Sequence, residues 1–250
     1  MGEPVADYRM LEHHRRALLW SAILLVLCAC ALFLVGRHPP EDAPQTTAAI
    51  VGRFDASMHA WMDDIQNTPL TWLAKALNVL GGGFVTIPVR IAATAFLLWR
   101  RRWRQVAAFV LTWITSEIVL TWLKAWFHRG RPPGALVVVN GYSFPSGHAV
   151  AAAATAVALV IAFFPPGPRR RRWEWLAVGF AFVMAFSRVY LSAHWFSDVV
   201  AGTLLGAGIA IFWAAAVTEI RDVWFRREGR PVPSDRAEPE PEELLRESPD

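Results

Sequence analysis

Long apolar runs alternate with short blocks of arginine along this chain, and that alternation is its tightest constraint on fold. Leu18 to Val35 is a run of eighteen residues without a charge. At ~1.5 Å per helical residue it covers most of a ~30 Å hydrocarbon core. A soluble enzyme with buried helices has no use for a run of that length. Six candidate spans follow: Ala17–Val35, Phe84–Trp99, Trp103–Lys124, His148–Phe164, Trp173–Tyr190 and Asp198–Val217. The 250 residues are 54% hydrophobic, include 13 tryptophans and have a mean hydropathy of +0.31, as expected of a polytopic membrane protein. The chain is therefore read as all-α, a bundle of six transmembrane helices.

The charge blocks orient that bundle. Arg9, Arg15 and Arg16 precede the first span; Arg100, Arg101, Arg102 and Arg104 separate the second from the third. Arg169 to Arg172 separate the fourth from the fifth, and Arg221, Arg226 and Arg227 close the sixth. If six spans alternate, all of these fall on one side, which the positive-inside rule makes cytoplasmic together with both termini. The net charge of +4 thus reads as membrane topology rather than a nucleic-acid surface. Arg15 and Arg16 before an apolar run also suit a signal peptide, but the run is long for one and Val35-Gly36-Arg37-His38 is a poor cleavage site. A retained span is expected.

The segment from Gly36 to Gly83 opens with prolines and continues with an amphipathic pattern near Phe54 to Ile65. It is expected on the extracytoplasmic side, lying on the membrane or capping the bundle. Gly81-Gly82-Gly83 marks a turn or close packing before the second span. Residues 1–228 form one membrane domain; residues 229–250, rich in Pro and Glu, form a disordered cytoplasmic tail. Cys28 and Cys30, two residues apart on one helix, point in different directions, which disfavours a disulfide. They are read as lipid-facing or packing residues.

Cations and histidines beside a membrane are costly unless something anionic needs them. They cluster here in Lys124 to Pro132, Pro145 to His148 and Ser187 to Asp198, all on the side away from the arginine blocks. Arginine suits bidentate contact with phosphate oxygens and lysine acts as a point charge, which nominates Lys124, Arg131 and Arg188. Lys124 alone reads equally as a lysine snorkelling at the end of a span. Ser146 and Gly147 precede an apolar helix, where free backbone N–H groups face an anion; Ser146 alone would be an N-cap. His194 and Asp198 are four apart, one helical face, so the carboxylate can fix the imidazole tautomer. An isolated pair of this kind would more simply cap a helix.

Together the segments resemble the three signature motifs of the type 2 phosphatidic acid phosphatase superfamily: K-x6-R-P, P-S-G-H and S-R-x5-H-x3-D. Lys124 with Arg131-Pro132, Pro145-Ser146-Gly147-His148, and Ser187-Arg188 with His194 and Asp198 match every signature position in order and spacing. The resemblance implies an integral-membrane lipid phosphatase. His194 is the expected nucleophile forming a phosphohistidine, Asp198 its orienting acid and His148 the general acid. Lys124, Arg131, Ser146, Gly147 and Arg188 are expected to bind phosphate. His128 and Arg129 fall at variable positions and receive no role.

The mechanism so implied uses no cofactor, and no carboxylate cluster suited to Mg²⁺ stands nearby. Its expected partners are the bilayer and a lipid phosphate: phosphatidic acid, phosphatidylglycerophosphate or a polyprenyl pyrophosphate. Nucleic acid is not expected, and oligomeric state is not encoded in these patterns. Composition and short loops point to a bacterial plasma membrane. Two other readings use the same residues: a phosphotransferase with an acceptor hydroxyl in place of water, and a noncatalytic lipid-phosphate binder. Outside the motifs, Arg90 and Glu117 lie at depths that differ by about 5 Å at ~1.5 Å per residue, so an interhelical pair is plausible. Gly202 and Gly206 form a small-xxx-small packing pattern.

Overall fold

The structure is a computed structural model that describes residues 16–30 and 47–230. Among the described residues it is all-helical, with no strand. The helices are α1 (Arg16–Cys30), α2 (Thr47–Asp64), α3 (Thr68–Gly81), α4 (Gly83–Trp99), α5 (Trp103–Phe127), α6 (Gly147–Phe163), α7 (Pro168–Tyr190) and α8 (Phe196–Arg227). The last residues of the first expected span and the acidic tail beyond residue 230 lie outside the described residues.

Helices α5 and α8 are each long and apolar enough to cross a membrane, and α3 with α4 passes that test as a pair bent by 44°. The bend sits at Gly82, whose extended backbone ends α3 and starts α4. Helix α3 was not anticipated as an element. Its start carries a local signal: Asn67 caps it by accepting from the Leu70 N–H at 3.0 Å, with Pro69 in the first turn. Helix α2 covers the expected amphipathic stretch and packs on α7 and α8, so it caps the bundle. Helix α7 begins at Pro168 rather than Trp173, which puts Arg169 to Arg172 on its first turn instead of in a loop. Proline fits that position because it has no N–H to leave unpaired.

The centre is α6, which packs against α3, α4, α5, α7 and α8. Its sequence, GHAVAAAATAVALVIAF, is rich in alanine, so neighbouring backbones come close. On α8, a Cβ added to Gly202 would lie 2.8 Å from the Ser146 carbonyl oxygen, and one added to Gly206 would lie 2.4 Å from that of Val150. The small-xxx-small pattern is thus the α6–α8 seam. Cys28, buried against α8, places its sulfur 3.5 Å from the Ala201 carbonyl oxygen, whereas Cys30 is exposed.

Arg90 and Glu117 do pair, Nη1 to Oε1 at 2.8 Å. Arg90 also donates from Nε to Thr155 Oγ1 at 2.9 Å and stacks over Trp113, so one buried arginine ties α4, α5 and α6 together. At the arginine-rich end, Arg102 Nη1 donates to the Ala162 carbonyl at 3.4 Å, placing the α4–α5 turn beside the end of α6.

Candidate active site

Three backbone hydrogen bonds join the motif-bearing segments at the opposite end of α6. Ser143 N–H donates to Arg129 O at 2.8 Å, Ser146 N–H to Asp198 O at 3.1 Å, and Leu136 N–H to Leu191 O at 3.0 Å. The loop 128–146 and the turn 191–195 are thereby held against the first turn of α8.

His194 does not share a helix with Asp198. It stands in the 191–195 turn, two residues before α8, while Asp198 is in the first turn of that helix. Asp198 Oδ2 accepts from the Trp195 N–H at 2.9 Å, so it caps α8 and faces His194 at once. Capping is what ends the helix there, because an unpaired N–H at a buried helix start needs an acceptor. The ring Nδ1 is 3.6 Å from Asp198 Oδ2, and the hydroxyl of Ser143 lies beside both. It donates a short hydrogen bond to Asp198 Oδ2 and lies 3.5 Å from Nδ1.

The other ring nitrogen, Nε2, faces Arg131 Nη1 at 3.1 Å. Guanidinium has only donors, so Nε2 presents a lone pair and Nδ1 carries the proton. Burial holds His194 down to about 4, with Arg188 and Arg131 adding to the shift and Asp198 opposing it. The ring is neutral at pH 7, as a nitrogen nucleophile must be.

Arg131 is itself fixed by carbonyls: Nη1 donates to Ala193 O at 2.6 Å, Nε to Gly141 O at 3.0 Å and Nη2 to Asn140 O at 2.8 Å. Burial lowers it from the ordinary arginine value and Asp198 pulls the other way. Lys124 Nζ donates to Tyr142 O at 2.6 Å. Arg188 is buried, with Nη1 donating a short hydrogen bond to Asn78 Oδ1. His148 Nε2 lies 3.1 Å from Asn78 O.

Two buried polar atoms in this cluster have no hydrogen-bond partner: Arg188 Nε and Ser146 Oγ. Such groups cost free energy unless something pairs with them. Gly147 stands between Ser146 and His148. A Cβ there would meet only Leu120 Cδ2, at 3.4 Å, so protein packing is not what requires glycine. Cations, a hydroxyl and a helix start gathered at one end of the bundle, with two histidines among them, suit an oxyanion.

Four participants were not read from the sequence. Asn78 comes from α3, and Ser143 stands two residues before the second motif. Arg129, left without a role, donates from Nη1 to Asp198 Oδ1 at 2.5 Å. A second carboxylate, Asp55 of α2, takes the other arm of Arg129 at 2.7 Å. No spacing rule links residue 55 to residue 129.

The class defined by this site and fold is a membrane phosphatase, and comparison with known proteins agrees. Residues 105–222 match the family model of the PAP2 superfamily. The chain is 31% identical to an undecaprenyl-diphosphatase of Sulfolobus acidocaldarius over 63% of its length and 75% of the relative's. It is 32% identical to phosphatidylglycerophosphatase B of Bacillus subtilis over 74% of its length and 88% of that protein's. The fold is similar to the crystal structure of a transmembrane PAP2-type phosphatidylglycerolphosphate phosphatase from B. subtilis, with a TM-score of 0.66 and 23% identity over 80% of this chain and 96% of that one. It is similar also to Aquifex aeolicus LpxE, with a TM-score of 0.54 and 22% identity over 63% of this chain and 93% of that one. The chain belongs to the PAP2 superfamily.

Proposed function

We propose that this protein is an integral-membrane phosphatase that hydrolyses a lipid phosphate or polyprenyl diphosphate through a phosphohistidine at His194. The observation that carries this reading is the polarity of the His194 ring: Nδ1 faces Asp198 and Ser143, and Nε2 turns its lone pair toward Arg131. In the first step Nε2 attacks phosphorus and the bond to the leaving oxygen breaks, with that oxygen taking a proton from His148. In the second, water attacks the same phosphorus, the N–P bond breaks, and His148 accepts the water proton. Arg131, Lys124 and Arg188 hold the equatorial oxygens together with Ser146 Oγ and the Gly147 N–H. The unpartnered Arg188 Nε and Ser146 Oγ support this assignment.

In this reading Arg131, Arg188 and Lys124 supply the positive charge, and no step is routed through a metal. The names of the two relatives support a glycerolipid phosphate or a polyprenyl diphosphate as substrate. The test is phosphate release from a panel of both classes by the purified protein in detergent. Release is expected with undiminished rate in EDTA; loss in EDTA that Mg²⁺ restores would refute the metal-free mechanism.

Helices α1 and α4 to α8 act as six spans, with α2 and α3 on the outer face of a plasma membrane and the arginine blocks in the cytoplasm. Val138, 92% exposed between the first two motifs, and Pro166, exposed before the arginine block, test this as single cysteines in a background lacking Cys28 and Cys30. An impermeant thiol reagent on intact cells is expected to label Val138→Cys and spare Pro166→Cys. The reverse pattern would invert the orientation.

A further inference from the structure

Asp55 is a carboxylate with 2% of its side chain exposed, on a helix that carries none of the motifs. It accepts from three donors. Ser197 N–H reaches Oδ1 at 2.9 Å, and Ser197 Oγ and Arg129 Nη2 reach Oδ2 at 2.6 and 2.7 Å. Arg129 Nη1 also donates to Ser197 Oγ at 2.7 Å, which closes the ring. Each of these partners donates, which matches a carboxylate's capacity to accept. The same guanidinium spans to Asp198, whose side chain is fully buried. Trp195 stacks over Arg129 and donates from its indole N–H to Gly130 O at 2.9 Å, which fixes the plane of the fork.

Resting on the phosphohistidine reading above, we propose that Arg129 and Asp55 are positioning residues that extend the His194–Asp198 pair into a four-membered chain, Asp55–Arg129–Asp198–His194. Neither touches the phosphate; both act through Asp198. Two carboxylates and one guanidinium sum to one negative charge on the Nδ1 side of the ring. When Nε2 forms its bond to phosphorus while Nδ1 keeps its proton, the ring becomes cationic, and that charge then balances the cluster. Arg131 and Arg188 stand on the phosphate side, where the negative charge of the substrate answers them. Without Arg129, two buried carboxylates face each other, and Asp198 is driven to take a proton and lose its grip on the ring. Without the charge of Asp55, the cluster is neutral and opposes the developing ring cation less well. The chain thus makes α2, outside the motif-bearing segments, part of what sets the rate of phosphoryl transfer.

Asp55→Asn is the informative variant, because the amide keeps the size of the carboxylate and one acceptor oxygen for the Ser197 N–H. Its kcat is expected to fall by about 10- to 100-fold, the range typical of groups that orient another ligand, with KM within about 3-fold of wild type. Single-turnover quench is expected to show slower formation of the acid-labile phosphoenzyme. Arg129→Ala is expected to lose more, and Arg129→Lys to recover part, since an ammonium can serve one carboxylate but not both. Thermal melting in detergent accompanies each variant. If Arg129→Ala fails to fold, the decision rests on Asp55→Asn. Folded Asp55→Asn with wild-type kcat overturns the proposal, as does a raised KM with kcat unchanged, or an Asp55→Asn that is itself unfolded. His194→Ala run alongside separates the two readings. Turnover surviving there removes the phosphohistidine mechanism and this inference with it; a dead His194→Ala beside a fully active Asp55→Asn removes the positioning role alone.

Discussion

Helix α8 is held by two unlike contacts. Along its body, Gly202 and Gly206 let it lie against α6 with no side chain between the backbones. At its start, Ser197 and Asp198 sit in a web of charged hydrogen bonds to Arg129, Asp55 and Ser143. The seam is apolar and depends on what is missing; the web depends on what is present and charged. A change in the seam is therefore felt as folding, and a change near the web as chemistry. The two contacts lie on a single helix, and variants in each probe them separately.

The sharpest separation is expected from His194→Ala. Removing the proposed nucleophile is expected to lower phosphate release by orders of magnitude while the melting temperature stays close to wild type. Substantial turnover in this variant would end the proposed mechanism. The converse variant is Gly206→Val. Its Cβ would meet a carbonyl oxygen at 2.4 Å and the Ala154 nitrogen at 2.9 Å, both backbone atoms that cannot swing aside. Overpacking of this kind costs about 1–3 kcal/mol or more, read as a lower melting temperature in detergent. Gly179 of α7 is the control, since a Cβ there meets nothing within 4 Å. Gly179→Ala is expected to leave stability unchanged or raise it by up to about 1 kcal/mol. Equal losses at the two glycines would erase the seam as a distinct region.

Next in size is Arg188→Lys. Lysine keeps the charge but has no Nε–H fork, so the contact to Asn78 and the free donor cannot both be reproduced. Phosphate release is expected to fall about 10-fold or more, as for the loss of one charge-assisted hydrogen bond, with weaker inhibition by vanadate. Unchanged vanadate inhibition would remove Arg188 from the oxyanion site. The smallest effect expected is with pH. Burial pushes His194 down to about 4, and the proposed mechanism uses its neutral form. Its protonation removes activity only as pH falls through that value, so His194 contributes no loss between pH 5 and 7. An acid limb of kcat/KM that shifts in Asp55→Asn would link the web to the ring.

The motif residues were legible because each lies in a short local pattern, and the structure brings Lys124, Arg131, Ser146, Gly147, His148, Arg188, His194 and Asp198 to one end of the bundle. The Arg90–Glu117 pair was legible too, because helical rise alone sets the depth of both residues. What escaped was everything contributed by α2 and α3 to the site. Asp55 reads as an ordinary acidic residue on an amphipathic helix, and only the tertiary fold shows it shielded from water. Asn78 reads as a polar residue near a glycine turn; its role lies in a side-chain oxygen and a backbone oxygen pointing at different motifs. The cap at Asn67 and Pro69 was a readable start signal for α3. The helical placing of His194 failed for another reason. Four-residue spacing equally suits a residue just before a helix and its first-turn acid, and Asp198 as a cap selects the latter.

The α6–α8 seam also works as a ruler. Ser146 ends one strand of the gauge and Asp198 the other, joined by the Ser146 N–H to Asp198 O bond and pressed together where Gly202 leaves no Cβ. The distance between Ser146 and Asp198 is set by backbone against backbone, with no rotamer to relax. In the proposed reaction that fixed spacing serves the phosphoryl group, which every substrate of this chemistry shares. On that reading, what distinguishes one lipid from another falls to parts of the molecule free to differ in side chain, such as α2, α3 and the loop 128–142.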